Sequence, residues 1–354
     1  MLKKDNIINF DPFKTGQVKK SKIFLSNIKE VAIWHYRNCP QFKTFCDTEK
    51  FDIHSNYSIE NFPYLPVSMF KNKNMISVAT ADIKKILYSA ATTGNPSKIF
   101  VDRITSERQE KTLSKIAKNF FGHKRKIFII FDTPDVIKEG QTMSCRGATF
   151  LGLISLVKKM FFVLDKNLKL DIKKLEIALS SANADDEIYI FGYTWLMYLI
   201  YQKNKNNKKL LKTFKKNKNN KILIHAGGWK KYEESAVSKK KLNKLFSDFF
   251  QIKKEKIVDM YGMVEHLGII YPDCEYGYKH LPIYSEIIVR DKNNLKILDI
   301  GQKGFMQFLT PLPLSYPGIS ILTNDIGKIV GIDDCPCGRK GKYFMFEKRF
   351  KQKK

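Results

Sequence analysis

Residues 88–98 read Tyr88-Ser89-Ala90-Ala91-Thr92-Thr93-Gly94-Asn95-Pro96-Ser97-Lys98, directly after the apolar pair Ile86-Leu87. Small residues, adjacent threonines, a glycine and a proline following a short strand make a particular kind of loop. It can bring backbone N–H groups and two hydroxyls against a polyphosphate, with Lys98 as a point charge. The same composition also builds an ordinary polar turn, so the loop takes its meaning from the rest of the chain.

Downstream of the loop, strands and helices alternate. The runs 126–131 (KIFIIF), 188–191 (IYIF), 222–225 (ILIH) and 257–260 read as short buried strands. Between them, 106–120, 147–159 and 239–250 carry apolar residues at helical spacing. Alternating strands and helices predict an α/β core with substantial parallel pairing. Upstream, 23–36 reads as a helix (Ile23, Ile28, Val31, Ala32, Tyr36), and 61–70, with Pro63 and Pro66, as an extended loop. From Tyr284 onward the chain is richer in strands, at 286–290, 304–309, 319–323 and 328–332. The expected division is an N-terminal helical and irregular segment over 1–85, an α/β core over 86–283 and a strand-rich C-terminal part over 284–354. The Asn/Lys-rich stretch 204–220 reads as a surface helix end and a loop.

The chain has 354 residues, enough for a sizeable core. No apolar run reaches the roughly 18–20 residues that cross a bilayer. The best, 188–201, contains Gly192 and is flanked by Asp185, Asp186, Glu187 and Lys203. Lys3 and Lys4 near the N-terminus precede no apolar segment, so no signal peptide is expected and the protein reads as soluble and cytoplasmic. The net charge of +28 comes mostly from lysine, much of it in 203–221, with few and scattered arginines. Nucleic-acid readers place arginines and aromatics within the basic patch, so nucleic acid is not the expected partner. A solvated lysine-rich surface or an acidic protein partner fits better.

Three further motifs fall after strands, where α/β proteins bind ligands. Ala226-Gly227-Gly228-Trp229-Lys230 offers a tight turn against which a flat ring can lie. Tyr261-Gly262-Met263-Val264-Glu265 offers a stacking ring and a carboxylate for Mg²⁺. Thr323-Asn324-Asp325-Ile326-Gly327 offers an acceptor for a ribose diol.

These motifs, in this order, resemble those of the adenylate-forming superfamily, whose members convert a carboxylic acid and ATP to an acyl-adenylate. Within it the chain looks most like the LuxE-type acyl-protein synthetases, fatty-acid-activating components of bacterial bioluminescence systems and relatives of phenylacetate–CoA ligase. The likeness covers roughly residues 60–349. It implies the superfamily's large domain, with mixed, mostly parallel sheets flanked by helices and a smaller strand-rich C-terminal part. It implies, as ATP-binding residues, Ser89, Thr92, Thr93, Gly94 and Lys98 at the phosphates. Gly227, Gly228, Tyr261 and Gly262 would lie at the adenine, Asp325 at the ribose, and Arg339 is also included. Glu265 would hold Mg²⁺, and Lys230, Glu265 and Thr93 would be catalytic. The acyl group would pass to a thiol, on coenzyme A, an acyl carrier protein, the chain's own cysteine or a reductase-type protein partner. No membrane partner is expected, and a homo-oligomer is compatible.

Two departures stand out. Ala90-Ala91 replaces a more usual Ser-Gly pair, and the chain stops soon after Glu347-Lys348-Arg349, so the small mobile C-terminal domain of many relatives is expected to be absent or vestigial. A lysine of the main body, with Lys230 the candidate, or a partner would then supply the positive charge at the α-phosphate.

Cys335-Pro336-Cys337 and the pair Cys274 and His280 supply three soft sulfurs and an imidazole, a set suited to tetrahedral zinc. The competing reading is a cysteine that accepts the acyl group as a thioester. Cys39, Cys46 and Cys145 read as ordinary thiols, although the 142–147 segment around Cys145 is polar enough to border an acyl pocket. The rival to an enzyme is a non-catalytic, basic, zinc-containing nucleic-acid- or protein-binding protein on a degenerate adenylation fold.

Overall fold

The computed structural model describes residues 7–89, 95–137, 142–144, 147, 150 and 153–350. The chain divides into two compact units. One comprises 1–120, 139–152 and 263–354, the other 121–138 and 153–262.

The second unit is built on a parallel sheet. Its strands run in the order Ile257–Tyr261, Lys221–Ala226, Ile188–Tyr193, Lys126–Phe131, Val157–Phe162, each parallel to its neighbours. The 126–131 and 188–193 strands are buried along their whole length, as continuous apolar runs at the centre of a parallel sheet must be. Helices Ile172–Ser180, Lys208–Lys216 and Lys239–Phe250 each start at a side-chain cap. Asp171, Asn207 and Ser238 accept the backbone N–H of Lys174, Leu210 and Lys241 respectively. Helix 239–250 ends at Gln251, in the left-handed conformation at φ 54°. Its buried Phe246, Phe249 and Phe250 join Phe214 and Phe131 in a cluster of edge-to-face and tilted rings.

Of the expected helix over 147–159, the described residues 147, 150 and 153 are helical, and only its end is corrected by this sheet. Residues 157–162 form a strand beside 126–131, preceded by a short 3₁₀ turn, Ile154–Leu156. Val157, Met160 and Phe161 keep helical spacing when read alone, and pairing with the fully buried neighbour overrides it.

The first unit carries an antiparallel sheet in the order Lys279–His280, Lys342–Arg349, Ser320–Ile332, Gly304–Leu309, Glu286–Arg290. The two-residue strand Leu65–Pro66 adds in parallel to 320–332, within the stretch expected to be a loop. A smaller sheet pairs Ile83–Tyr88 with Lys98–Asp102 antiparallel and with Thr142–Ser144 parallel. The expected strands at 319–323 and 328–332 are one 13-residue strand, 320–332, bent by bulges against its neighbours.

Helix Gln17–Asn38 is longer than expected, and its buried stripe keeps the expected Ile28, Val31 and Ala32, with Phe24 and His35 in place of Ile23 and Tyr36. Phe24, Ile28, Val31, Ala32 and His35 face inward, and Gln17 and Lys20 extend the stripe. Two of these polar groups are held inside by specific bonds. His35 contacts Ser77 Oγ at 2.7 Å and the Pro313 carbonyl at 3.1 Å, and burial lowers it to about 3, so it is neutral. Lys20 Nζ donates to the Leu281 carbonyl at 3.0 Å and lies in the field of Glu286. Glu286 also takes Lys342 at 3.1 Å and Gln17 Nε2 at 2.6 Å. The N-terminal helix is thereby tied to the 286–290 and 342–349 strands.

Candidate active site

In the first unit the phosphate-loop stretch starts from a closed base. Tyr88 pairs with Lys98 across the hairpin, Ser97 N–H donates to Ser89 Oγ at 2.8 Å, and Ser89 N–H donates to the Ser97 carbonyl at 3.1 Å. Lys98 is exposed at the start of its strand. Thr92, Thr93 and Gly94 lie outside the described residues, as does Cys145.

Ser97 is fully buried, and its hydroxyl lies near enough to the Glu265 carboxyl to favour its charged form. That glutamate sits in the 3₁₀ turn Val264–His266, 5% exposed, and its backbone carbonyl accepts the Tyr316 hydroxyl at 2.9 Å. Burial pushes the Glu265 carboxyl upward, and the nearby negative charge of Asp325 pushes the same way. The Ser97 hydroxyl and Arg349 pull it back. A buried carboxyl near a second buried carboxylate is a setting that a divalent cation relieves, because the cation stabilises both ionised forms.

Asp325 does not follow the end of a strand, contrary to the expectation from its motif. It lies inside 320–332 and pairs across the sheet with Arg349. Arg349 Nε donates to Asp325 Oδ1 at 2.9 Å. Antiparallel register creates this pair, and no local pattern in either segment announces it. Arg339, expected among the ATP-binding residues, is engaged elsewhere. Its guanidinium lies 4.0 Å from the centre of the Phe120 ring and donates to Asn119 and Glu275.

Beside Arg339 stand the four soft ligands. The donor atoms of Cys274, His280, Cys335 and Cys337 all lie within 4.8 Å of one another. Cys274 and Cys335 sulfurs are 4.0 Å apart, and Cys337 Sγ is 3.2 Å from His280 Nε2. With zinc–sulfur and zinc–nitrogen bonds of ordinary length, a tetrahedron has edges of roughly 3.8 and 3.5 Å, so the arrangement fits the ion. Tight turns deliver the sulfurs. Gly277 N–H bonds the Cys274 carbonyl and Gly338 N–H the Cys335 carbonyl, both glycines having positive φ. Burial pushes the Cys335 thiol up to about 12 and, with the Arg339 charge, lowers His280 to about 4. Cys39 and Cys46 are buried free thiols away from this set.

In the second unit the glycine motif follows the 221–226 strand as expected. Gly227 has φ 79°, and a Cβ there would come within 2.5 Å of the Tyr193 ring, so only glycine fits. Gly228, at φ 61°, faces open space. Lys230 Nζ sits 5.1 Å from the Tyr193 ring centre and 5.8 Å from that of Trp195, whose ring stacks on Tyr232. Tyr261 ends the 257–261 strand, half-buried, with Gly262 next.

The same unit holds a group that the sequence motifs do not reveal. Thr194 Oγ1 donates to the Ala226 carbonyl at 3.1 Å and lies 2.9 Å from His225 Nδ1. A hydroxyl has one proton, so Nδ1–H of His225 is the donor to Thr194. Asp259 Oδ1 lies 3.8 Å from the same nitrogen. Strand pairing aligns His225 with Asp259, which the separate sequence runs do not show.

The comparisons with known proteins place the chain among adenylate-forming acid–thiol ligases. The chain belongs to the acyl-protein synthetase, LuxE, family, whose model matches residues 2–354. It therefore activates a carboxylic acid with ATP and acylates a thiol. A long-chain-fatty-acid–luciferin-component ligase of Aliivibrio fischeri is 26% identical over 309 residues, covering 85% of this chain and 77% of that protein. Its counterpart from Vibrio harveyi is 23% identical over 314 residues, with the same coverage. Among solved structures, an open conformation of 2-hydroxyisobutyryl-CoA ligase with 2-HIB-AMP and CoA matches with a TM-score of 0.72 at 14% identity. That match covers 95% of this chain and 76% of the ligase. ATP-bound MatB from Rhodopseudomonas palustris matches at 0.50 and 15% identity, over 77% of this chain and 49% of its own. The fold is that of adenylate-forming ligases. No helix among the described residues is long and apolar enough to cross a membrane.

Proposed function

We propose that the protein activates a long-chain fatty acid as its acyl-adenylate and passes the acyl group to a thiol on a protein partner in the cytoplasm. The observation that carries this reading is the family match over residues 2–354, and the buried Glu265 of the Tyr-Gly-x-x-Glu motif is in keeping with it. The chain length of the acid follows the named activity of the relatives from Aliivibrio fischeri and Vibrio harveyi.

In this reading Glu265 would hold Mg²⁺. Asp325, oriented by Arg349, accepts hydrogen bonds from the ribose hydroxyls. Ser89, Thr92, Thr93, Gly94 and Lys98 bind the phosphates, and Gly227, Gly228, Tyr261 and Gly262 line the adenine. The acid's carboxylate oxygen attacks the α-phosphorus and pyrophosphate leaves, giving acyl-adenylate. Lys230, near the α-phosphate, stabilises the charge that builds on its oxygens. The acceptor thiolate then attacks the acyl carbon and AMP leaves with the electron pair of the broken C–O bond. A Mg²⁺ ion held by Glu265 would supply charge compensation for the phosphates. Cys274, His280, Cys335 and Cys337 would hold a zinc ion and so brace the loops carrying them.

Acid-dependent exchange of pyrophosphate into ATP, run across fatty, hydroxy, aryl and amino acids, tests the reading. Exchange with long-chain fatty acids, lost in Glu265→Ala, is the expected result. Exchange confined to another acid class overturns the substrate, and no exchange with any acid overturns the mechanism.

A further inference from the structure

Between residues 203 and 221 the chain has nine lysines and no acidic residue. Helix Lys208–Lys216 occupies the middle of this stretch, with Leu210 and Phe214 buried. At about 100° per residue, Lys208, Lys209, Lys212 and Lys216 fall on the face opposite Phe214, with Lys215 at its edge. All five are exposed. Lys209 reaches Glu176 at 3.3 Å. Lys208, Lys212, Lys215 and Lys216 have no acidic partner among the described residues, and neither do the exposed flanking Lys203, Lys205 and Lys218. Lys208, Lys212 and Lys216 are spaced i, i+4, i+8, where like charges work against the helix that carries them. This face therefore gains from a partner of opposite charge.

The partner's chemistry can be narrowed. No large apolar side chain is exposed between 203 and 221, so nothing is placed to enter a lipid surface as interfacial helices do. The stretch has no arginine, tryptophan or exposed aromatic, the groups that read or stack bases. There remains a stripe of compact ammonium charges along a helix about 13 Å long. Its dimensions match an acidic helix on another protein better than an extended charged plane.

We propose that the exposed lysine face of helix 208–216 docks the acidic protein that bears the acceptor thiol. The proposal rests on the reading that the acyl group passes to a protein thiol. Charges of this kind steer the encounter and raise its rate, with a marked dependence on salt.

The test replaces Lys208, Lys212, Lys215 and Lys216 together by Glu, with a Gln version as a second variant. A holo-acyl carrier protein serves as the acidic, thiol-bearing probe, and binding is measured without turnover. Circular dichroism and fatty-acid-dependent pyrophosphate exchange are expected to match the wild type in both variants. The dissociation constant for the carrier is expected to rise at least about tenfold in the Glu variant and less in the Gln variant. Wild-type affinity should fall between about 50 and 200 mM salt, with a flatter dependence in both variants. Equal carrier affinity in all three proteins, or no carrier binding by the wild type, overturns the proposal. So does wild-type binding to phosphatidylglycerol–phosphatidylcholine vesicles, or to a short DNA duplex, that is tighter than to the carrier and lost in the Glu variant. Absence of exchange in the wild type sinks the acid-activation reading instead, and the binding measurement separates the two failures.

Discussion

Arg349 meets Asp325 across two antiparallel strands, with Nε 2.9 Å from Oδ1 and a second contact from the guanidinium at 3.5 Å. Asp325 is 4% exposed, whereas the Arg349 side chain remains largely in solvent. The aspartate is thus held in one orientation by a cation that is itself screened. Arg349→Ala is expected to cost about 1 kcal/mol of stability, as partly exposed pairs do. The larger effect should fall on nucleotide binding, with the KM for ATP rising about tenfold. Thermal melts with and without ATP check this, and an unchanged ATP-induced shift would remove Arg349 from the site.

Glu265 carries a penalty in the absence of a cation. Its folded pKa lies above the ordinary 4.5, so the folded state binds more protons than the unfolded state just above that pH. Stability attributable to this group is intact below the unfolded pKa and is lost as pH rises toward the folded one. Glu265→Gln should therefore raise the melting temperature of the nucleotide-free protein at neutral pH. It should also lower pyrophosphate exchange by at least about 100-fold. Equal melting temperatures at pH 4 and a gap at pH 8 are the expected pattern, and the reverse pattern refutes it.

Metal analysis of purified protein is expected to find one zinc per chain. Cys335→Ser and Cys274→Ser should each lower zinc content and melting temperature, because three ligands hold the ion far less firmly than four. Chelation should reproduce both losses in the wild type. A chain that melts at the same temperature with and without chelator has no structural zinc.

Burial alone would raise the Glu286 carboxyl, but Lys342 and Lys20 hold it down at about 2, against 4.5 for the free group. The sign is opposite to that of Glu265. Glu286 contributes stability above pH 4.5 that is lost as the pH falls through the folded value. Lys20, which burial lowers to about 8, loses its partner in Glu286→Gln. That variant should be destabilised by about 3 kcal/mol at pH 7, with the gap closing toward pH 2. Denaturant titrations at several pH values provide the measurement.

Gly227→Ala places a methyl group into the Tyr193 ring at a left-handed backbone position. A loss of about 2 kcal/mol is expected from the conformation and the clash together. Gly228→Ala, with no atom near its Cβ, should cost about half as much. Comparing the two melting curves separates backbone strain from contact.

Much of the fold is legible in one dimension because it is local. The 126–131 run is apolar throughout, so its burial at the centre of a parallel sheet follows from composition. Gly227 and Gly228 announce a turn because no other residue tolerates that backbone as readily. The Cys335-Pro336-Cys337 spacing announces a soft-ligand pair because two thiols so close rarely serve packing alone. Residues 157–159 read as the end of a helix because Val157, Met160 and Phe161 keep helical spacing, and only the neighbouring strand overrides it. Asp325 is expected after a strand because Thr323-Asn324-Asp325 looks like a break. In fact 13 residues run through it, with bulges absorbing the irregularity.

The alternation of strand and helix, the order of the loop motifs and the family to which the chain belongs can be read along the chain. Those properties depend on residues near one another in the chain, where periodicity, turn chemistry and spacing act directly. Tertiary structure alone decided that Arg349 faces Asp325, that Thr194 and Asp259 flank His225, and that Cys274 and His280 close on Cys335 and Cys337. Each of these contacts joins segments far apart in sequence, and its partners are chosen by strand register and burial, which no local pattern records.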